Sequence, residues 1–148
     1  MEFAVAIIAA FAGALITYLA QNYFAMQSED SAHLNDHISE LKLIEGYAVA
    51  YWSADPGEGE KQQRLYQVQL EGAISASGCF NEVAQRILGD DYRKYMELDQ
   101  AIYVAATGGQ FGTATKEIDY HRIVEIMTLC NEMRSLLRQS RRKQYWAR

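Results

Sequence analysis

Apolar side chains run unbroken from residue 3 to residue 20, reading FAVAIIAAFAGALITYLA, with no ionisable group except the phenol of Tyr18. As a helix these eighteen residues would be about 27 Å long, close to the thickness of a bilayer's hydrocarbon core. The run predicts a membrane-spanning helix. Tyr23 and Phe24 follow it, where aromatic rings would sit at headgroup level. No Lys or Arg precedes Lys42, so the basic start of a cleaved signal peptide is missing. Small residues recur inside the run at Ala6, Ala9, Ala10, Gly13 and Ala14. In lipid, such spacings let helix backbones approach one another. Ala6, Ala9, Ala10, Gly13 and Thr17 are therefore the expected helix-packing face, with Gly13 at the closest approach and homo-oligomerisation the consequence.

Beyond residue 26 the pattern becomes that of amphipathic helices. A polar stretch, residues 27–31, separates the anchor from the next helix or continues it as a stalk. Leu34, Ile38, Leu41, Ala48, Tyr51 and Trp52 form a first stripe, which stops near Ser53 before Asp55, Pro56, Gly57 and Gly59. Leu65, Val68, Gly72, Ala76, Cys79, Phe80, Val83 and Ile87 predict one helix of roughly 28 residues at helical spacing, ended by Gly89. Asp90 and Asp91 would cap a third helix over residues 92–107, with Tyr95, Leu98, Ile102 and Ala105 on one side. A fourth begins after Thr115 or Asp119 and carries Ile123, Ile126, Met127, Cys130, Met133, Leu136 and Leu137. Nothing alternates as a strand would. The expectation is all-α: an N-terminal transmembrane helix in residues 1–26, then an up-down four-helix bundle with a basic tail in residues 27–148.

Composition supports this reading. The 148 residues hold one proline, two cysteines (Cys79 and Cys130) and no Asn-x-Ser/Thr sequon, which favours long helices and argues against a disulfide-stapled scaffold. Both thiols are expected to be free and buried. Charge is segregated: residues 1–133 carry eight basic and 19 acidic side chains, a net −11, whereas residues 134–148 carry six basic and none acidic, a net +6. Neither flank of the apolar run has a basic cluster, so orientation rests on the short, easily translocated N-terminal tail and the missing sequons. An N-out, C-in topology in the inner membrane is expected, with the bundle in the cytoplasm.

Candidate chemistry is sparse. His33 and His37 share a helix face, as do Asp36 and Glu40, but without a His-Glu-x-x-His pattern they read as a solvated polar face rather than a metal site. The glycine-rich loop of residues 107–113 lacks the Gly-Lys-Ser/Thr ending of a phosphate loop. It reads as helix capping, with Phe111 plugging the end of the bundle. Ser75, Ser77, Cys79 and Cys130 have no histidine nearby in sequence to activate them. No catalytic residue, metal ligand or cofactor is expected. The basic tail, Arg134, Arg138, Arg141, Arg142, Lys143 and Arg148 with Tyr145 and Trp146 interleaved, suits anionic lipid headgroups, nucleic acid, the acidic surface of a neighbouring subunit, or its own helix's C-terminal dipole.

In layout, one N-terminal membrane helix followed by a compact helical domain, the chain resembles the small HEPN-like membrane accessory proteins of type VI CRISPR systems. The resemblance implies a homo-oligomeric ring or pore that perturbs the inner membrane during antiviral defence. The HEPN ribonuclease signature, an Arg with a His about five residues later, is absent around His33, His37 and His121, so ribonuclease activity is not implied. The expected function is a pore-like effector, with a membrane-tethered scaffold that recruits a soluble partner as the alternative. Nucleic acid is the less favoured partner.

Overall fold

The computed structural model describes the backbone of residues 2–55, 60–113 and 116–146, and the side chains of these except residues 2–6, 8 and 144–146. All regular structure among the described residues is helical: α1 (Glu2–Ser53), α2 (Glu60–Ser77), α3 (Asn81–Leu88), α4 (Tyr92–Thr107) and α5 (Tyr120–Trp146). Short 3-10 turns, Gly78–Phe80 and Gly89–Asp91, lie on either side of α3. The chain divides into two compact units, Met1–His33 and Leu34–Arg148.

The first unit lies within α1. The polar residues 27–31 are helical, so they continue the helix and do not break it. Every described side chain from residue 7 to residue 26 is exposed, including Phe11 at 74%, Leu15, Ile16, Leu19 and Phe24. The Thr17 hydroxyl donates to the Gly13 carbonyl at 2.9 Å, which satisfies it within its own helix. Among the described residues no helix is long and apolar enough to cross a membrane. The expected span of residues 3–20 falls in part on residues whose side chains lie outside the description.

The second unit is a helical bundle. Leu34, His37, Leu41, Ile44, Ala48, Tyr51 and Trp52 of α1 are buried at three- and four-residue spacing, as one face of a helix must be when it meets a core. From α4 come Tyr95, Leu98, Ile102 and Ala105, and from α5 Ile123, Ile126, Cys130, Met133, Leu136 and Leu137. Met127 stays 40% exposed.

The second helix departs from expectation. It is two helices, α2 and α3, with the Gly78–Phe80 turn between them, and the buried positions Leu70, Ala73, Ser77, Phe80, Ala84 and Ile87 keep a three- and four-residue spacing across that turn. α2 buries Leu70, Ala73 and Ser77, leaving Leu65 and Val68 exposed; Phe80, Ala84, Ile87 and Leu88 continue the core. Gly89 does end α3, at φ +54°, where a side chain would be strained. Asp91 precedes α4 but makes no side-chain capping bond. Its carboxylate instead accepts from Ser140 Oγ at 2.7 Å and Lys143 Nζ at 2.9 Å, fastening the start of α4 to the end of α5. Asp119 caps α5, its Oδ1 accepting from the Arg122 backbone N–H at 2.9 Å.

Candidate functional site

One end of the bundle is closed by side chains that satisfy the carbonyls a helix leaves free at its C-terminus. Trp52, 2% exposed, donates its indole N–H to the Ala106 carbonyl at 2.9 Å. Arg122 donates to the Ala105 carbonyl at 2.8 Å and lies over the Trp52 ring at 4.6 Å. Buried Lys116 donates to the Ala54 carbonyl at 3.0 Å, with Tyr51 beneath its ammonium. The Gly112 N–H donates to the Tyr51 hydroxyl at 2.7 Å, and Phe111 packs against Tyr51 and Trp52. A Cβ on Gly109, which sits at φ +66°, would lie 2.8 Å from the Arg122 guanidinium. The glycines let this loop press against Arg122. Capping accounts for the motif, and Phe111 fills the role expected of it.

His37 overturns the solvated-face reading. It is 1% exposed, stacked on Phe80 at 4.3 Å and edge-on to Tyr95 at 5.6 Å. Its Nδ1 lies 3.1 Å from Glu40 Oε2. Because an ionised carboxylate only accepts, Nδ1 carries the proton and Nε2 is a lone pair with no partner. Burial lowers the imidazole pKa to about 4, so the contact is a hydrogen bond donated by a neutral ring to the Glu40 carboxylate. Burial, and then Asp36, raise the pKa of Glu40. His33 is only half-buried and faces Glu29 at 3.7 Å. Among the described residues no three metal-binding side chains gather.

One thiol differs from expectation. Cys79 is exposed, lying off the buried face that its neighbour Phe80 shares with Ser77 and Ala84. Cys130 is buried, and burial followed by the Glu45 charge pushes its thiol up to about 12. It is therefore a poor nucleophile.

The expected helix-packing residues Ala9, Ala10, Gly13 and Thr17 are all exposed, and Ala6 lies outside the described side chains. In the basic tail, Arg134 pairs with Glu45 of α1, both largely buried. Arg141 donates to Asn35 Oδ1 at 3.1 Å, and Lys143 holds Asp91, whose carboxyl pKa is lowered by Ser140 and then Lys143. Arg138 and Arg142 are exposed with no partner among the described residues, and Arg148 lies outside them. The structure thus separates three cations that fasten α5 to the bundle from two that face solvent.

No family model, curated protein or solved structure matches the chain.

A groove that the sequence did not announce opens beside α4. Its volume is about 560 Å³, and Ile44, Ile74, Met96, Ile102 and Tyr103 supply apolar walls. Ser77, Asn81, Arg93, Glu97, Asp99 and Gln100 supply its polar groups. Burial raises the Asp99 carboxyl pKa, and no hydrogen bond or ion pair reaches that carboxyl among the described residues. Tyr95, behind the groove, donates to Asn81 Oδ1 at 2.6 Å.

Proposed function

We propose that the chain is a homo-oligomeric inner-membrane protein: residues 3–20 span the bilayer, an up-down helical bundle lies in the cytoplasm, and the assembly acts as a pore-like or membrane-perturbing effector. Antiviral defence is the setting that its layout resembles. The supporting observation is the exposed apolar surface of the first half of α1, where Ile7, Phe11, Leu15, Ile16, Leu19 and Phe24 all stand free of protein. A surface that apolar is stable only against lipid or other protein. Gly13 favours self-association, since nothing lies within 4 Å of where its Cβ would be, so a neighbouring backbone has room to approach.

The test is the mass of the detergent-solubilised protein, with and without Gly13→Leu. The proposal expects a multimer whose mass falls in the variant, together with any toxicity caused by expression, while membrane insertion survives. A wild-type mass of one chain would refute it and leave a membrane-tethered scaffold.

A further inference from the structure

The groove beside α4 and the end of α5 match in chemistry. We propose that the groove of one copy receives the basic, aromatic end of α5 from a second copy, with Arg142 of that copy meeting Asp99. The proposal rests on the homo-oligomeric reading above and adds to it a specific soluble contact.

Three observations converge on this pairing. Asp99 stands in a groove of mixed apolar and polar walls without an ion pair or hydrogen bond among the described residues. A partly buried carboxylate without a partner is disfavoured, and a cation brought to it offsets that cost. The one cation lining the groove among the described residues, Arg93, faces Glu97 at 3.8 Å, and both are well exposed. Such a pair is weak, and it leaves Asp99 uncompensated.

On the other side, Arg138 and Arg142 are the tail cations that no described residue engages, while Arg141 and Lys143 are held on Asn35 and Asp91. Arg138 and Arg142, four residues apart, share one face of α5, and Tyr145 and Trp146 follow them in the sequence. Arg, Tyr and Trp are the residue types that anchor protein interfaces by filling apolar pockets, and a groove of about 560 Å³ has room for a guanidinium and a ring. Among the described residues, none of α5 lines the groove of its own copy, which leaves the groove open to a second chain.

A ridge on one copy fitting a groove on the next is a head-to-tail contact. Repeated, it closes into a ring or runs on as a filament. It also explains why acidic and basic residues are segregated along the chain: each copy offers both members of the pair at different places.

A charge swap on the full-length protein in detergent tests the proposal. Asp99→Arg and Arg142→Glu should each lower the assembly mass, and the double variant should restore it, with helical content by circular dichroism unchanged throughout. A synthetic peptide of residues 138–148 should bind wild-type protein, lose at least tenfold in affinity to Asp99→Arg, and in excess lower the wild-type assembly mass. If the wild type is multimeric and both single variants keep its mass, the groove contact is overturned and the homo-oligomer stands. If the wild type is a single chain, both fall. Singles that lower the mass without rescue by the double, from a protein that ignores the peptide, also overturn the contact. A peptide that binds while the assembly ignores every variant assigns the groove to a foreign basic segment and refutes a second copy.

Discussion

Phe11 and Trp52 belong to the same helix, yet one is 74% and the other 2% exposed. Around Phe11 the helix is apolar on every side and its described side chains are exposed. Around Trp52 it is apolar on one face, and that face is buried among Ala106, Phe111 and Arg122. Helical geometry is common to both stretches, so the difference lies in which surroundings each surface can tolerate. A one-sided stripe is satisfied by the rest of its own chain. An all-round apolar surface needs an apolar environment from outside the fold.

The sharpest test of this contrast pairs the two aromatics. Trp52→Ala removes a buried ring, a hydrogen bond and the platform under Arg122, and should destabilise the bundle by about 3–5 kcal/mol in urea unfolding. Phe11→Ala should leave the same transition within about 0.5 kcal/mol. Equal effects would mean that the first half of α1 belongs to the cooperative core.

A second test concerns pH. Because the His37 pKa is depressed from 6.5 to about 4 in the folded protein, the unfolded chain binds the proton more readily. This contribution to stability is complete above pH 6.5 and is lost as pH falls toward 4, amounting to about 3 kcal/mol. His37→Gln, which keeps a donor toward Glu40 without titrating, should flatten that part of the profile. An unchanged slope would show that His37 is not the responsible group.

Next in size is the Arg134–Glu45 pair. Arg134→Met strands a largely buried carboxylate and should cost about 2–3 kcal/mol, whereas Arg134→Met with Glu45→Met together should cost less than either alone. A double variant as unstable as the sum of the singles would contradict the stranded-charge explanation. The smallest contrast is between two glycines. Gly89→Ala, at φ +54°, should destabilise by about 1–2 kcal/mol. Gly46→Ala, inside α1 with nothing within 4 Å of the added Cβ, should stabilise by about 0.5–1 kcal/mol. Thermal melts of the two variants should move in opposite directions.

How much of this was legible in the sequence varies by element. The faces of α4 and α5 were readable because their apolar residues keep one period from end to end. Phe80 and Ile87 lay on the expected stripe of the second helix, but Leu65 and Val68 did not share its buried face, which runs through Leu70, Ala73 and Ser77 instead; apolar residues on both sides of α2 keep helical spacing, so periodicity alone does not choose between them. His37 escaped notice as a core residue because its type is polar. Its position did not hide it: Leu34, His37, Leu41 and Ile44 fall at the spacing of a buried stripe. Asp91 was read locally as a helix cap, while its partners Ser140 and Lys143 lie 49 and 52 positions away. The same limit applies to the basic tail and to the groove around Asp99, because a sequence shows which charges exist and not which distant residues have claimed them.

The central proposal is that the first half of α1 finds its apolar surroundings in a lipid bilayer. Alkaline carbonate extraction of membranes from cells expressing the full-length chain tests it most directly, since that treatment strips proteins held only by surface contacts. The account predicts that the protein stays in the membrane pellet, and that Leu15→Arg with Ile16→Arg, each costing about 2.5–3.5 kcal/mol near the middle of a spanning helix, shifts it to the supernatant. Recovery of the unaltered protein in the supernatant would contradict the account.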